Sequence, residues 1–304
     1  MKKLFFVIFS TLILCSPALA EGLTIVFQKQ KDPAKLQSEA NRLSELLSEK
    51  IGIKVTARIP GDYASAVQAL VSQNADLAYL DSVGYLLAKR DGGAKIVLAE
   101  NRADSSGVKR TEYDSVFVVS KESSLQNFDE LLAESANLRV VFTSPTSTSG
   151  YLFPYKRFVE AGLISAGQDI KQAFKSVQFA GSYGQALEQV ALGRADVCAV
   201  SAYSIEGEAK TSHVPAKISD QLRILARTPG VPTHVIAARS ELPEEILAKA
   251  KTAILALSKD APGLFNDIYG AAEFIEVNAD KHVEASERAL SLLGITPQTF
   301  AAKR

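Results

Sequence analysis

Two stretches of the chain, Tyr63–Tyr85 and Tyr183–Ile205, align without a gap at an offset of 120 residues. Tyr63, Ala66, Ala75 and Asp76 meet Tyr183, Ala186, Ala195 and Asp196, while Val67, Leu70, Leu77 and Leu80 meet Leu187, Val190, Val197 and Val200. Each copy reads as helix, short turn, Ala-Asp, buried strand and the start of another helix. Any two helix-to-strand units of an α/β chain share such features, so four identities in 23 positions speak for a common plan more than for a duplication. That plan predicts two similar lobes, each with a parallel sheet whose strand ends face a shared cleft, the usual ligand position in open α/β sheets. The strand-end residues Asp81, Ser82 and Ser201 then look into the cleft.

Short apolar runs alternate with helical periodicity along the chain, which sets the class as α/β. Strands are expected at 23–27, 53–57, 77–80, 96–99, 115–119, 138–141, 176–179, 197–200, 223–226 and 234–238. The first helix carries Leu36, Ala40, Leu43 and Leu47 on one face. The segments 113–119 and 234–238 read as the two crossovers between lobes. Lobe one is then 21–115 plus 230–304, and lobe two is 116–229. The last third, with Pro243-Glu244-Glu245 opening a helix and a final helix carrying Val283, Ala289, Leu290 and Leu293, reads as packing on lobe one.

Residues 1–20 have the three-part layout of a secretory signal peptide: Lys2 and Lys3, an apolar run from Leu4 to Leu14, and Ala18-Leu19-Ala20 before the expected cleavage. The run is too short to span a bilayer, which takes about 20 residues. Cleavage removes two of the 34 basic residues and none of the 34 acidic ones, leaving a net charge of −2. Such a chain has neither the basic stripe that nucleic acid requires nor a polybasic segment for an anionic membrane. Cys15 leaves with the leader, so Cys198 has no intramolecular partner and the exported protein relies on its core. His213, His234 and His282 lie far apart, no Cys/His group has metal-ligand spacing, and neither a nucleophile elbow nor a phosphate loop is present. No cofactor is expected, and nothing argues for catalysis.

The segment with most chemistry is Phe142-Thr-Ser-Pro-Thr-Ser147-Thr148-Ser149-Gly150-Tyr151, between the strand at 138–141 and a helical segment. Strand, hydroxyl-rich turn and helix together make an anion-binding arrangement. Free backbone N–H groups and the positive dipole end of the helix face the turn, and three hydroxyls add donors. Such a site holds an oxyanion without any Lys or Arg. Ser and Thr are also the commonest helix caps, so Thr146 or Ser147 as a plain cap is the competing reading.

Asp62-Tyr63-Ala64, Ala75-Asp76-Leu77-Ala78-Tyr79-Leu80, Ser147-Thr148-Ser149-Gly150-Tyr151-Leu152 with Pro154, and Ala195-Asp196 together resemble the phosphate, phosphite and phosphonate-binding proteins of bacterial ABC transporters. The resemblance covers nearly the whole chain after residue 20. It implies a two-lobed periplasmic binding protein of type II, with a cleft between lobes joined by two crossover strands. It also implies that Ser147, Thr148 and Ser149 bind the oxyanion while Tyr63 and Tyr113 reach it from the other side. Tyr183 and Ser201 stand near positions where the family commonly carries His and Asp, and Asp81 stands where Gly is expected. Asp81 or Glu206 would restore an acidic contact, which suits a ligand that brings a proton or an ammonium.

The function so implied is a periplasmic solute receptor that captures a phosphorus oxyanion and delivers it to an ABC permease, acting as a monomer. A sensor presenting its closed form to a membrane receptor, or a periplasmic enzyme acting on phosphorylated compounds, are the alternatives.

Overall fold

The computed structural model describes residues 22–299 apart from 29–32, 105, 208–209, 211–212, 272 and 297–298. The expected leader, residues 1–20, and its cleavage point lie outside the described residues. The first half runs β1 (Leu23–Phe27), α1 (Pro33–Ile51), β2 (Val55–Arg58), α2 (Tyr63–Val71), β3 (Leu77–Leu80), α3 (Ser82–Gly92) and β4 (Lys95–Ala103). A short β5 (Lys109–Arg110) leads to β6 (Glu112–Ser120), α4 (Phe128–Ala133), β7 (Arg139–Phe142), α5 (Phe153–Glu160), β8 (Ser176–Phe179), α6 (Tyr183–Ala191), β9 (Val197–Ser201), α7 (Ala216–Ser219) and β10 (Leu222–Pro232). The chain ends with β11 (Val235–Ala238), α8 (Glu244–Asp260), α9 (Pro262–Tyr269), β12 (Glu273–Ile275) and α10 (Ala279–Leu292).

The strands form two sheets with one plan. The first is ordered β2-β1-β3-β11-β4-β12 and the second β8-β7-β9-β6-β10. In each, the first strand of the half lies between the second and third in parallel, and an antiparallel strand is inserted between the third and fourth. The inserted strand follows a crossover from the other half: β11 enters the first sheet and β6 the second. This is the two-lobed α/β architecture that the sequence leads one to expect. The connections themselves are Thr111, between β5, which pairs with β4 of the first sheet, and β6 of the second, and the pair Thr233-His234. The boundaries expected at 115/116 and 229/230 fall inside β6 and β10, both of which pair wholly within the second sheet.

The 120-residue correspondence has a physical basis. Asp76 and Asp196 each accept the backbone N–H of the first strand of their sheet, from Thr24 at 2.8 Å and Arg139 at 2.7 Å. Each also pairs with an arginine, Arg239 or Arg139. Ala75 and Ala195 sit in matching turns, their N–H groups bonded to Ala69 and Gln189 carbonyls. The repeated Ala-Asp is therefore structural: it ties the third strand to the first. Asp62 and Ser182 cap α2 and α6, so Tyr63 and Tyr183 both open their helices with side chains turned inward.

Leu36, Ala40, Leu43 and Leu47 of α1 are buried as their spacing demands, against the outer face of the first sheet's core. Each such leucine contributes roughly 1.5–3 kcal/mol on leaving water. The final helix departs from expectation. Val283, Ala289, Leu290 and Leu293 pack into the core that contains Phe117, Phe142 and Phe158 of the second lobe. Helix α10 touches β10 and α5 as well as α3, so it spans the two lobes instead of resting on lobe one alone. An apolar face records that a helix is buried but not against which sheet.

Candidate functional site

The hydroxyl-rich turn begins where β7 ends. Ser147 caps the next segment by accepting the Gly150 N–H at 3.1 Å. Residues Thr148–Leu152 then form a π-helical turn, with the Leu152 N–H bonded to the Ser147 carbonyl at 3.0 Å, before α5 begins. Pro154 accounts for part of this shape. It has no N–H to return to the Gly150 carbonyl four residues back, and that carbonyl instead accepts the Thr143 N–H at 3.2 Å. Gly150 is required by the same contact, because a Cβ there would lie 2.2 Å from Thr143 Oγ1. π-turns inside helices occur frequently at functional sites. Ser147, Thr148 and Ser149 are all fully buried.

The three hydroxyls have different surroundings. Ser149 Oγ lies 3.0 Å from the Tyr183 hydroxyl and accepts from Tyr113 at 3.3 Å. Its carbonyl accepts from Ser115 Oγ at 2.6 Å. Thr148 faces the other lobe: its N–H donates to Asp81 Oδ2 at 2.9 Å, and its hydroxyl contacts Ser82 Oγ and accepts the Val83 N–H, both at 3.1 Å. Ser82 in turn meets Ser286 Oγ of α10 at 2.7 Å. Thr148 and Ser82 thus make a clasp between lobes, where the sequence suggested cleft-facing donors.

Asp81 caps α3, taking the Gly84 N–H on Oδ1 at 2.8 Å while its other oxygen holds Thr148. Gln28, at the end of β1, orients it by accepting the Asp81 N–H at 3.0 Å. Ser201 occupies the position 120 residues on, at the end of β9. Its Oγ is buried without a hydrogen-bond partner, and so is the hydroxyl of Tyr63. Every residue expected at the site, namely Tyr63, Asp81, Ser82, Tyr113, Ser147, Thr148, Ser149, Tyr183 and Ser201, is buried. Glu206 is not among them. It pairs with Arg227 at 2.7 and 2.5 Å on the wall of an outer cleft of about 970 Å³. Tyr113 and Tyr203 line that cleft.

Electrostatically the cluster is rich in neutral donors. Burial raises the pKa of the Tyr63, Tyr113, Tyr183 and Tyr203 phenols, and for Tyr63 and Tyr113 the neighbouring Tyr183 raises it further. All four therefore keep their protons. Burial also raises the pKa of Asp81, against the opposing pull of His234 and of the Gly84 and Thr148 N–H groups. Arg102 covers the Tyr203 ring with its Cζ 3.7 Å from the centroid, but its charge is matched by Glu100, 3.0 Å away. Glu100 is buried, yet Arg102, His234 and Tyr79 outweigh that burial and hold its pKa down to about 2.

Sequence reasoning missed Gln28, Tyr203 and His234. Tyr203 packs edge-on against Tyr113 and Tyr183, at ring distances of 5.0 and 5.9 Å. It lies two residues past Ser201 in an apolar run, with nothing to set it apart from a core aromatic. Gln28 follows a strand end, a position that alone carried a usable signal. His234 is expected at the start of the second crossover segment, 234–238, and lies there just before β11, but nothing in the sequence marks it as a neighbour of the tyrosine cluster.

Comparison with known proteins places this geometry in context. Residues 25–282 match the family model described as the phosphonate periplasmic substrate-binding protein of ABC transporters. The chain is similar to the phosphate-import protein PhnD of Mycolicibacterium smegmatis, 26% identical over 241 residues covering 76% of this chain and 70% of that one. It is also similar to the phosphonates-binding periplasmic protein of Escherichia coli, 28% identical over 240 residues covering 78% and 67%. Among solved structures, PhnD1 of Prochlorococcus marinus in complex with methylphosphonate shares the fold, with a TM-score of 0.77 at 21% identity, covering 91% of this chain and 99% of that one. With its two matched sheets, its interlobe cluster of hydroxyls and a family match across most of its length, the chain belongs to the phosphonate-type periplasmic substrate-binding proteins of ABC transporters.

Proposed function

We propose that this protein is a receptor that closes its lobes around a small phosphorus oxyanion, whether phosphonate, phosphate or phosphite, and passes it to an inner-membrane ABC permease. The observation that carries the reading is the grouping of the Tyr113 and Tyr183 hydroxyls on Ser149 in the buried hydroxyl-rich turn, together with the buried, unpartnered hydroxyls of Tyr63 and Ser201. Each hydrogen bond to a charged group contributes roughly 1.5–3 kcal/mol. Neutral donors suit a carrier, because no charge is stranded in the site when the ligand leaves.

Thr148 and Ser82 act in this reading as the closure contact. Asp81 gives the site an acidic wall, so an oxyanion bearing a proton, or a phosphonate bearing an ammonium, is the better fit. Lobe one is taken as the residues up to about 110 with those from 235 onward, following sheet membership, and lobe two as the segment between. The chain is a carrier and not an enzyme in this reading, exported to the periplasm by cleavage after Ala20 and acting as a monomer that closes freely.

The test is calorimetric titration of the protein, refolded to strip carried-over ligand, with phosphate, phosphite, methylphosphonate, 2-aminoethylphosphonate and sulfate. Selective binding of one or more phosphorus oxyanions over sulfate is the expected result. Binding of none of them, with a response to another solute class, overturns the reading.

A further inference from the structure

His234 sits in the two-residue crossover between β10 of the second sheet and β11 of the first. Hydrogen bonds fix its backbone on both sides. Its carbonyl accepts the Glu100 N–H at 3.0 Å, and the adjacent Thr233 donates its hydroxyl to the Glu100 carbonyl at 2.7 Å and its N–H to Thr111 at 3.0 Å. The imidazole is stacked on Tyr79 of the first sheet at 5.1 Å and lies parallel to Tyr113 of the second at 6.1 Å. It is fully buried, and neither ring nitrogen has a hydrogen-bond partner.

A buried imidazole with two unpartnered nitrogens is costly unless something else uses them. One nitrogen is explained by position. Nδ1 lies 3.5 Å from Glu100 Oε2, an ion-pair distance to a carboxylate that Arg102 and Tyr79 hold in place. With Nδ1 turned to Glu100, Nε2 points away from it across the ring. Apart from Glu100 and Tyr79, the rings packed on the imidazole are Tyr113 and Tyr203 of the oxyanion cluster. Tyr113 bonds to Ser149, and the Tyr203 ring lies 6.4 Å away edge-on.

Resting on the oxyanion reading above, we infer that His234 is a further ligand-binding residue: with its Nδ1–H directed to Glu100 as positioning residue, Nε2 is the acceptor of the neutral ring and takes a hydrogen bond from the P–OH of a singly protonated oxyanion at the hinge. Carboxylate–imidazole pairs of this kind fix which ring nitrogen is presented to a partner. The consequence is specificity. The neutral hydroxyls of the turn accept any tetrahedral oxyanion of the right size, whereas a hinge imidazole backed by a carboxylate favours a ligand that turns a P–OH toward the crossover when the lobes are shut.

The experiment combines nitrogen NMR with affinity, using methylphosphonate and inorganic phosphate as probes. The chain has three histidines, so a 15N-histidine spectrum is sparse, and His234→Phe identifies the His234 signals by their loss. Adding whichever probe binds is expected to shift the His234 Nε2 resonance of the wild-type protein. His234→Phe keeps a ring between Tyr79 and Tyr113 and is expected to bind the probe about ten- to one-hundred-fold more weakly, as is Ser149→Ala. Glu100→Gln is expected to change the His234 tautomer signature along with affinity, an effect that a purely structural role for Glu100 would not produce.

If Ser149→Ala loses affinity while folded His234→Phe binds as wild type and Nε2 does not shift, the inference is overturned and the oxyanion reading stands. If the wild-type protein binds neither probe nor any other phosphorus oxyanion, that reading falls and the inference with it. Should His234→Phe not fold, the Nε2 shift in the wild-type protein decides the matter alone, with signals assigned from His213→Gln and His282→Gln.

Discussion

The Thr148 N–H donates to the Asp81 carboxylate at 2.9 Å, joining the first residue of the π-turn in one lobe to the cap of α3 in the other. The Thr148 hydroxyl accepts the Val83 N–H beside it, so one residue closes two contacts between lobes. Both contacts are buried, where a hydrogen bond gains strength and an unmade one costs more. Contact between the lobes is thus built partly into the hydroxyl-rich segment 147–149.

Thr148→Val keeps the shape of the side chain but removes the acceptor, leaving the Val83 N–H unpaired when the lobes are shut. The closed form should lose about 1–3 kcal/mol. Small-angle scattering of the ligand-free variant should show a larger radius of gyration than wild type, with α3 itself still formed. Identical scattering curves would mean that the clasp contributes nothing to closure.

Asp81 makes stability depend on pH. Burial raises its pKa above the ordinary 3.8, so the folded state holds its proton more tightly than the unfolded chain does. The contribution is therefore full below the unfolded pKa and is lost as pH rises through the folded one. Asp81→Asn retains one oxygen as an acceptor and removes the titration. Its urea midpoint should improve relative to wild type between pH 4 and pH 7. A constant difference across that range would show that Asp81 titrates as it does in the unfolded chain.

Much of this was legible in the chain. Strand positions followed from apolar runs, and the offset repeat announced two lobes because α2 and α6 begin with the same capped, inward-turned tyrosine. The turn at 147–149 was legible because three hydroxyls exceed what one cap uses. What stayed hidden depends on which lobe meets which. Thr148 and Ser149 are adjacent and chemically alike, yet one faces Asp81 and the other Tyr183, a division set by the π-turn and not by residue type. His234 gave no signal for a related reason: its chemistry comes from Glu100, 134 residues earlier, and two tyrosines brought together only by the crossover.

Gly150 is held by sterics. A Cβ at that position would lie 2.2 Å from Thr143 Oγ1 and 2.4 Å from Thr143 Cβ, and Thr143 is pinned by its hydroxyl bond to the Ala199 carbonyl. Gly150→Ala should cost about 1–3 kcal/mol as overpacking and should displace the turn that carries Ser147 and Ser149. Thr143→Ala would leave the Cβ contact in place, so it should not rescue the variant, whereas Thr143→Gly should recover most of the loss. Equal rescue by the two, read from urea denaturation, would assign the clash to the hydroxyl alone.

Cys198 lies in the middle of β9, fully buried between β6 and β7, and burial alone raises its thiol pKa far above the ordinary range. The thiolate is the reactive species, so native Cys198 should be inert. In a chain carrying Cys15→Ser, it is the single thiol and becomes a reporter of how β9 opens. Labelling with a disulfide reagent should be negligible in buffer and should rise with urea along the same curve as the loss of circular dichroism, because a central strand is exposed only when its lobe unfolds. Binding of the oxyanion should slow labelling in proportion to ligand concentration, since the ligand stabilises the folded form by mass action. Rapid labelling in plain buffer, indifferent to urea, would instead place β9 in a region that opens locally, and the rigid second lobe that this site requires would then be in error.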